Sequence, residues 1–369
     1  MSAVTTPETM RQLLVRRDDI HRASVVTSPL PNAASLAEGQ VLLRVDRFGF
    51  SANNITYVAL GDQMHYWNFF PATDGWGCIP VWGFADVVAS RRNDMPIGER
   101  FFGYWPMASH AIVQPGYVSS HGFTDASPHR ASLPAVYNQY QRTAGDLSYD
   151  ATTEDAYMIL RPLFVTSFML DDFLAEAQWF GAEEILISSA SSKTAYALAF
   201  LLSQHAKQRP QMVGLTSRAN LAFVERLGCY DRVVAYEDVT SLPVTGPVVY
   251  ADFSGNAALR AAIHHHFGTK VVYSAAVGLT HWETLAPAGD LPGAKPTLFF
   301  APTQIKRRAV EWGPGGIEQR AGDAWRAFLV PLQSWMTISR LHGGDAALAL
   351  YHSMLNGNAT PDCGYVIQL

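Results

Sequence analysis

The stretch Ile185-Leu186-Ile187-Ser188-Ser189-Ala190-Ser191-Ser192-Lys193-Thr194-Ala195 decides how the middle of this chain is read. An apolar run passes through small residues straight into a helix-forming segment. Glu184–Ser188 reads as a buried strand. Ser192–His205 reads as a helix, with Ala195, Leu198, Ala199 and Leu202 at helical spacing. The alternation continues on the carboxyl side. Met212–Thr216 is a second strand, followed by a helix over Asn220–Leu227 that Gly228 stops. Arg232–Ala235, Pro247–Asp252 and Lys270–Ser274 read as further strands, Ala257–Phe267 as a helix and Thr297–Ala301 as a sixth strand. On the amino side a helix is expected over Thr166–Phe180, ending near Gly181. Strands and helices alternating through short connections predict an α/β domain with a doubly wound parallel sheet, although no GxGxxG is present.

The flanks have another texture. Gly39–Phe48, Val81–Ala89 and Ala111–Gln114 read as strands broken by Gly and Pro, as in a small barrel or sandwich. Phe69–Pro80 is aromatic and turn-rich, either a loop over a pocket or a corner of the core. The last part, Ile317–Leu369, is helical and closes on the strand Gly364–Leu369, which has no helix after it and is free to pair with the N-terminal β region. The expected division is 1–150 completed by 317–369, and 151–316.

Composition sets the outer bounds. The chain has 369 residues, 48% hydrophobic and 16% charged, which suits folded domains rather than disorder. A net charge of −5 argues against broad nucleic-acid binding. Cys78, Cys229 and Cys363 are too few and too scattered for a disulfide framework or a four-cysteine zinc lobe. With no signal-peptide pattern and no apolar run of membrane-spanning length, a cytoplasmic protein with no membrane partner is expected.

Small residues at 188–194 allow backbone N–H groups and a helix N-terminus to approach a pyrophosphate, the requirement of a dinucleotide site. The plain alternative is that Ser191 or Ser192 caps the helix and binds nothing. A P-loop is disfavoured, because Ile187 and Ser192 stand where it needs glycine. The second crossover, Thr216-Ser217-Arg218, offers hydroxyls and a cation but no acid, which suits a 2′-phosphate and so NADPH over NADH. Tyr236 adds a phenolic donor. A capped helix with a solvent-facing arginine is the competing reading. His264, His265 and His266 are consecutive, so on a helix they diverge and cannot converge on one metal. Tyr57, Tyr66 and His281 are candidates for acid work.

In order along nearly its whole length, the chain resembles the zinc-free quinone and enoyl reductase branch of the medium-chain dehydrogenase/reductase superfamily. Glu38–Val45 resembles the family's opening strand, and Phe50-Ser51-Ala52-Asn53-Asn54-Ile55-Thr56 its active-site loop. Ile97–Tyr104 is similar to its GDRVFGY segment, and Leu350–Gly357 with Gly364–Ile367 to its closing helix and strand. Ser189–Ala195 and Gly278-Leu279-Thr280-His281-Trp282 point to a little-characterised bacterial group, classed as a domain of unknown function. The resemblance implies a GroES-like catalytic domain beside a Rossmann-type NADPH-binding domain. It implies hydride transfer to an enone, enoyl thioester or quinone, with Asn53, Tyr57 or Tyr66 meeting the developing negative charge. For the cofactor it implies Thr166, Ser189, Ala190, Ser191, Ser192, Lys193, Thr194, Thr216, Ser217, Arg218, Tyr236, Gly278, Thr280 and Phe300. Gln304 lies just past Phe300, and Lys306 and Arg307 beyond it form either a phosphate contact or a solvated basic turn. The zinc-dependent branch has a cysteine and a Gly-His-Glu where this chain has Phe48-Gly49-Phe50-Ser51 and Trp82-Gly83-Phe84-Ala85, so catalytic zinc is not expected. His121–Tyr149 is longer than the family's linker. Family members are often dimers. An NADPH-sensing or catalytically silent protein is the second reading, and a lyase or isomerase on the same scaffold a third.

Overall fold

Runs with no polar side chain are stable as strands only where both sheet faces are covered. Ile185, Leu186 and Ile187 are such a run, Val249, Tyr250 and Ala251 depart from it only by one phenol hydroxyl, and all six are fully buried. The computed structural model describes residues 8–146, 149–205, 209–277 and 291–369. Its chain forms two compact units, Met1–Ile159 with Ile338–Leu369, and Leu160–Thr337.

The second unit holds a six-stranded sheet. Its spatial order is Arg232–Ala235, Gln211–Thr216, Glu184–Ile187, Val248–Asp252, Val271–Ala276 and Pro296–Leu298. Every neighbouring pair is parallel. Numbered along the chain, the strands run 3-2-1-4-5-6, the doubly wound order whose direction reverses between the first and fourth. At that reversal Glu184 to Ile187 face Val248 to Ala251 in register. The crevice beyond these carboxyl ends is where such sheets bind ligands.

Three elements differ from expectation. The long helix spans Glu154–Glu176, so it starts well before Thr166 and carries Pro162 inside it. It also stops before Phe180. Gln178, Trp179 and Phe180 have φ of 49°, 55° and 53°, a left-handed turn that stacks Phe180 on Tyr273 at 4.2 Å. The sixth strand is only Pro296–Leu298, because Ala301 already opens a helix with proline in its first turn. The helix Gly316–Trp335 lies in the second unit, so segment 317–337, expected with the first, falls on the other side of the division.

The first unit is β-rich. A nine-stranded sheet is centred on Val41–Phe50 and Pro80–Ser90, beside a three-stranded sheet built on the hairpin Thr9–Arg16 and Ala23–Pro29. The C-terminal strand Cys363–Gln368 pairs antiparallel with Val41–Phe50, with Tyr365 opposite Phe50 and Ile367 opposite Phe48. Arg100, from the Gly98–Tyr104 segment, is structural. Its guanidinium reaches Glu154 at 2.7 Å and Asp46 and Asp86 at 2.8 Å, and these carboxylates hold its pKa above the usual arginine value. Among the described residues no helix is long and apolar enough to cross a membrane.

Candidate functional site

Where the first strand of the parallel sheet ends, the chain turns through serines. Ser188 is fully buried and faces the sheet. Its hydroxyl donates to Asp252 Oδ1 at 2.9 Å and accepts from the Phe253 N–H at 2.9 Å. The same Asp252 oxygen accepts from the Ser254 hydroxyl at 2.8 Å and the Gly255 N–H at 3.1 Å, while Arg260 lies 3.5 Å from Oδ2. The carboxyl ends of the first and fourth strands are thereby tied together at the reversal point.

Ser189 takes a φ of 48°, the left-handed conformation that glycine adopts without penalty. The turn closes through the Ser192 N–H to the Ser189 carbonyl at 2.7 Å. Tyr236, at the tip of the third strand, accepts the Ser189 N–H on its hydroxyl at 3.1 Å. Ala190 is buried with its N–H on the Leu215 carbonyl, and its own carbonyl accepts from the Tyr230 hydroxyl at 3.0 Å. Opposite it, a Cβ on Gly214 would stand 2.9 Å from Tyr230 Cδ1 and 3.1 Å from the Ala190 Cβ, so a side chain there would force its neighbours to shift. The Asn220 amide donates to the Ser191 hydroxyl at 3.1 Å. Ser192 caps the helix Lys193–Ser203 by accepting from the Ala195 N–H at 3.3 Å. The loop thus has a left-handed first residue, a tightly packed second and a helix N-terminus after it, the arrangement that a pyrophosphate needs.

The second crossover divides its three residues. Thr216 is buried, with its hydroxyl 3.5 Å from that of Ser191, so it faces the loop rather than the surface. Ser217 is partly exposed, and Arg218 is exposed. The arginine pairs with Asp238 at 3.1 Å, an acid contributed from beyond the third strand. Such an exposed pair contributes about 0–1 kcal/mol and is easily exchanged for another anion. Thr166 lies on the long helix, its hydroxyl turned back to the Pro162 carbonyl at 3.4 Å. The next residue, Ser167, is fully buried and donates to the Thr194 carbonyl at 2.7 Å, fixing the start of the loop helix.

Phe300 is exposed at the N-terminus of the helix Ala301–Trp312. Lys306 and Arg307 lie within that helix rather than on a turn, Arg307 pairing with Glu176 and Glu311, and Gln304 is buried against Asp172 at 2.7 Å. His264 reaches the Pro292 carbonyl and Ser274 while His266 reaches the Leu242 carbonyl, so the histidines diverge. Gly278, Thr280 and His281 lie outside the described residues.

The first unit brings together Asn53, Tyr57 and Tyr66, the three residues that the resemblance implies as donors to the developing charge. Ser51 opens the helix Ala52–Ala59 in a capping box with Asn54, whose amide also donates to the Pro80 carbonyl at 3.1 Å. Asn54 is therefore structural. Asn53, one residue earlier, donates to the Tyr57 hydroxyl at 2.7 Å. The Tyr57 ring packs on Tyr66 at 4.5 Å and edge-on to Tyr104 at 5.8 Å. Phe69, Phe70, Trp82, Leu133 and Tyr137 complete the cluster. Burial raises the pKa of both Tyr57 and Tyr66 far above the ordinary phenol value, with neighbouring phenols adding to it, so both remain O–H donors.

Residues 48–360 match the family described as a protein of unknown function, DUF2855. The chain belongs to that family. A search of the curated proteins found no match. The DUF2855 chain has the fold of the medium-chain quinone and enoyl reductases. It is similar to a putative NADPH:quinone reductase from Mesorhizobium loti, at 12% identity and a TM-score of 0.60 over 99% of this chain and 100% of that one. CurA from Vibrio vulnificus, solved with NADPH, is similar at 14% identity and 0.59, over 97% and 98%. A quinone oxidoreductase from Coxiella burnetii is similar at 12% identity and 0.55, over 98% and 100%.

In this DUF2855 chain the reading of residues alone passed over Asn220, Ser167 and Asp252. Asn220 carries a signal in hindsight, since a short amide at the start of a helix reads as a cap and hides a bond to the neighbouring loop. Asp252 and Ser188 each stand at the end of an apolar strand, where a lone polar residue marks a buried polar contact.

Proposed function

We propose that this DUF2855 protein is a zinc-independent, NADPH-dependent reductase of an enone, enoyl thioester or quinone. The observation that carries it is the Ser188–Ser192 loop, left-handed at Ser189 and packed on Gly214, at the reversal point of a 3-2-1-4-5-6 sheet. NADPH supplies a hydride when bound. The chain's own residues have the remaining tasks. Ser189, Ser191 and the start of the helix Lys193–Ser203 seat the pyrophosphate, and Ser217, Arg218 and Tyr236 meet the 2′-phosphate. Tyr66 is partly exposed, whereas Tyr57 is buried with its hydroxyl held by Asn53. Tyr66 is therefore the donor to the substrate oxygen, and Asn53 with Tyr57 holds its ring in place. The solved relatives support this reading through their names, which include NADPH:quinone reductase and an NADPH complex.

A second reading, an NADPH sensor without turnover, rests on a specific contact. The Tyr236 hydroxyl already takes the Ser189 N–H, a donor that a pyrophosphate would use. Turnover separates the two. With 1,4-naphthoquinone, 2-cyclohexenone and crotonyl-CoA as acceptors, loss of NADPH absorbance at 340 nm is expected with at least one of them. Binding of NADPH without oxidation on any of the three would replace the reductase by the sensor.

A further inference from the structure

The segment between the strands Gly122–Asp125 and Gln139–Arg142 sends Leu133 and Tyr137 into the tyrosine cluster. Tyr137 sits on the short 3-10 turn Ala135–Asn138. Its ring lies 4.7 Å from Tyr104, 5.3 Å from Phe69, 6.0 Å from Trp82 and 6.4 Å from Tyr66. Its hydroxyl interacts with that of Tyr66 in the sense that keeps the proton on Tyr66. The cluster has two sides. Tyr57, Phe69 and Tyr104 are buried, while Tyr66, Phe70, Trp82 and Tyr137 keep part of their surface in solvent. What remains available to a small molecule is a set of aromatic faces with phenol hydroxyls among them.

The charge of this surface limits its occupant. The phenols stay neutral, since burial disfavours the phenolate at Tyr57, Tyr66, Tyr104 and Tyr137, and neighbouring phenols add to this at the first three. The cation packed on the cluster, Arg130, lies 4.6 Å from the Phe70 ring, but it is 1% exposed and has Asp125 at 3.3 Å. A coenzyme A or phosphopantetheine thioester brings phosphates, which arginine and lysine recognise. Neutral donors among aromatic faces instead suit a neutral, planar acceptor.

Resting on the reductase reading above, we propose that the substrate is an uncharged planar conjugated carbonyl, a quinone or cyclic enone, and that Tyr137 selects it. Tyr137 packs on the ring of the substrate; when the Tyr66 O–H turns from the Tyr137 oxygen to the carbonyl, Tyr137 donates its own O–H to the Tyr66 oxygen. A quinone gains one hydride and one proton to become the hydroquinone, while NADPH is oxidised to NADP+. The proton passes from Tyr66 to the carbonyl oxygen and is replaced from solvent through Tyr137. Tyr137 is thus a positioning residue that acts through Tyr66.

The test uses the full chain and two variants, Tyr137→Phe and Tyr137→Ala. Duroquinone, whose ring is fully substituted and does not add thiols, is the binding probe, followed by saturation-transfer NMR, with crotonyl-CoA as the charged alternative. Wild type is expected to bind duroquinone, and Tyr137→Ala to weaken it about tenfold or more, as loss of a stacking ring implies. Tyr137→Phe keeps the ring, so duroquinone affinity should be retained while kcat falls about tenfold at unchanged KM. Binding of crotonyl-CoA as tight as that of duroquinone would overturn the proposal. So would duroquinone binding indifferent to Tyr137→Ala, or an unchanged kcat in Tyr137→Phe. Duroquinone that fails to bind while NADPH still does defeats this inference alone. Failure of NADPH to bind defeats the reductase reading.

Discussion

Replacing Asp252 by alanine should cost about 3–5 kcal/mol of folding stability, the range for removing one partner of a buried charged pair. The size follows from what the carboxylate holds. One oxygen accepts from the Ser188 hydroxyl, the Ser254 hydroxyl and the Ser254 and Gly255 N–H groups, and the residue is 2% exposed. Alanine strands these donors together with Arg260, itself buried at 6% exposure. Urea unfolding followed by tryptophan fluorescence measures the loss. Asp252→Asn keeps an acceptor oxygen and gives up the charge, so it should fall between alanine and wild type. A loss below about 1 kcal/mol for Asp252→Ala would mean that the tie between the first and fourth strands contributes no more than an ordinary hydrogen bond.

The second large effect is chemical. Tyr66→Phe removes the proposed donor and should lower kcat by about a hundred- to a thousandfold, the range for loss of a single oxyanion donor. NADPH affinity should not change, since Tyr66 is not among the residues proposed to hold the pyrophosphate or the 2′-phosphate. Burial and neighbouring phenols raise the Tyr66 pKa, so its protonated form persists as pH rises through the ordinary phenol value. The wild-type kcat should therefore show no alkaline limb from Tyr66 up to about pH 10. An undiminished kcat in Tyr66→Phe would move the donor to Asn53 or Tyr57.

The parallel sheet was legible because its strands are buried on both faces and bounded by turn residues, as at Ile185–Ile187 before the serine loop. Elements whose limits depend on tertiary support were not. The helix expected from Thr166 in fact begins at Glu154 and runs through Pro162, a residue that costs a free helix a hydrogen bond. The left-handed turn at Gln178–Phe180 has no sequence signal, because its residues are ones that rarely adopt positive φ. For the site, residue types placed Ser189, Ser192 and Tyr236 near a common point, and the structure brings the first and last into contact at 3.1 Å. They could not give side-chain direction. Thr216 and Arg218 look alike as candidate donors, but one is buried and the other lies at the surface beside Asp238. The tyrosine cluster was half visible. Tyr57 and Tyr66 stand close in sequence, whereas Tyr104 and Tyr137 join them only through the sheet and the 128–142 segment.

The most direct test of the central claim is a fluorescence titration of the purified chain with NADPH and with NADH, repeated on Arg218→Ala. Sub-millimolar binding of NADPH is expected, tighter than that of NADH. Arg218→Ala should weaken NADPH about ten- to a hundredfold and spare NADH, since one charge-assisted hydrogen bond to phosphate contributes roughly 1.5–3 kcal/mol. Equal weakening of both cofactors would remove Arg218 from the 2′-phosphate. No binding of either cofactor to the wild-type chain would contradict the assignment of the Ser188–Ser192 loop as a dinucleotide seat, and the reductase reading with it.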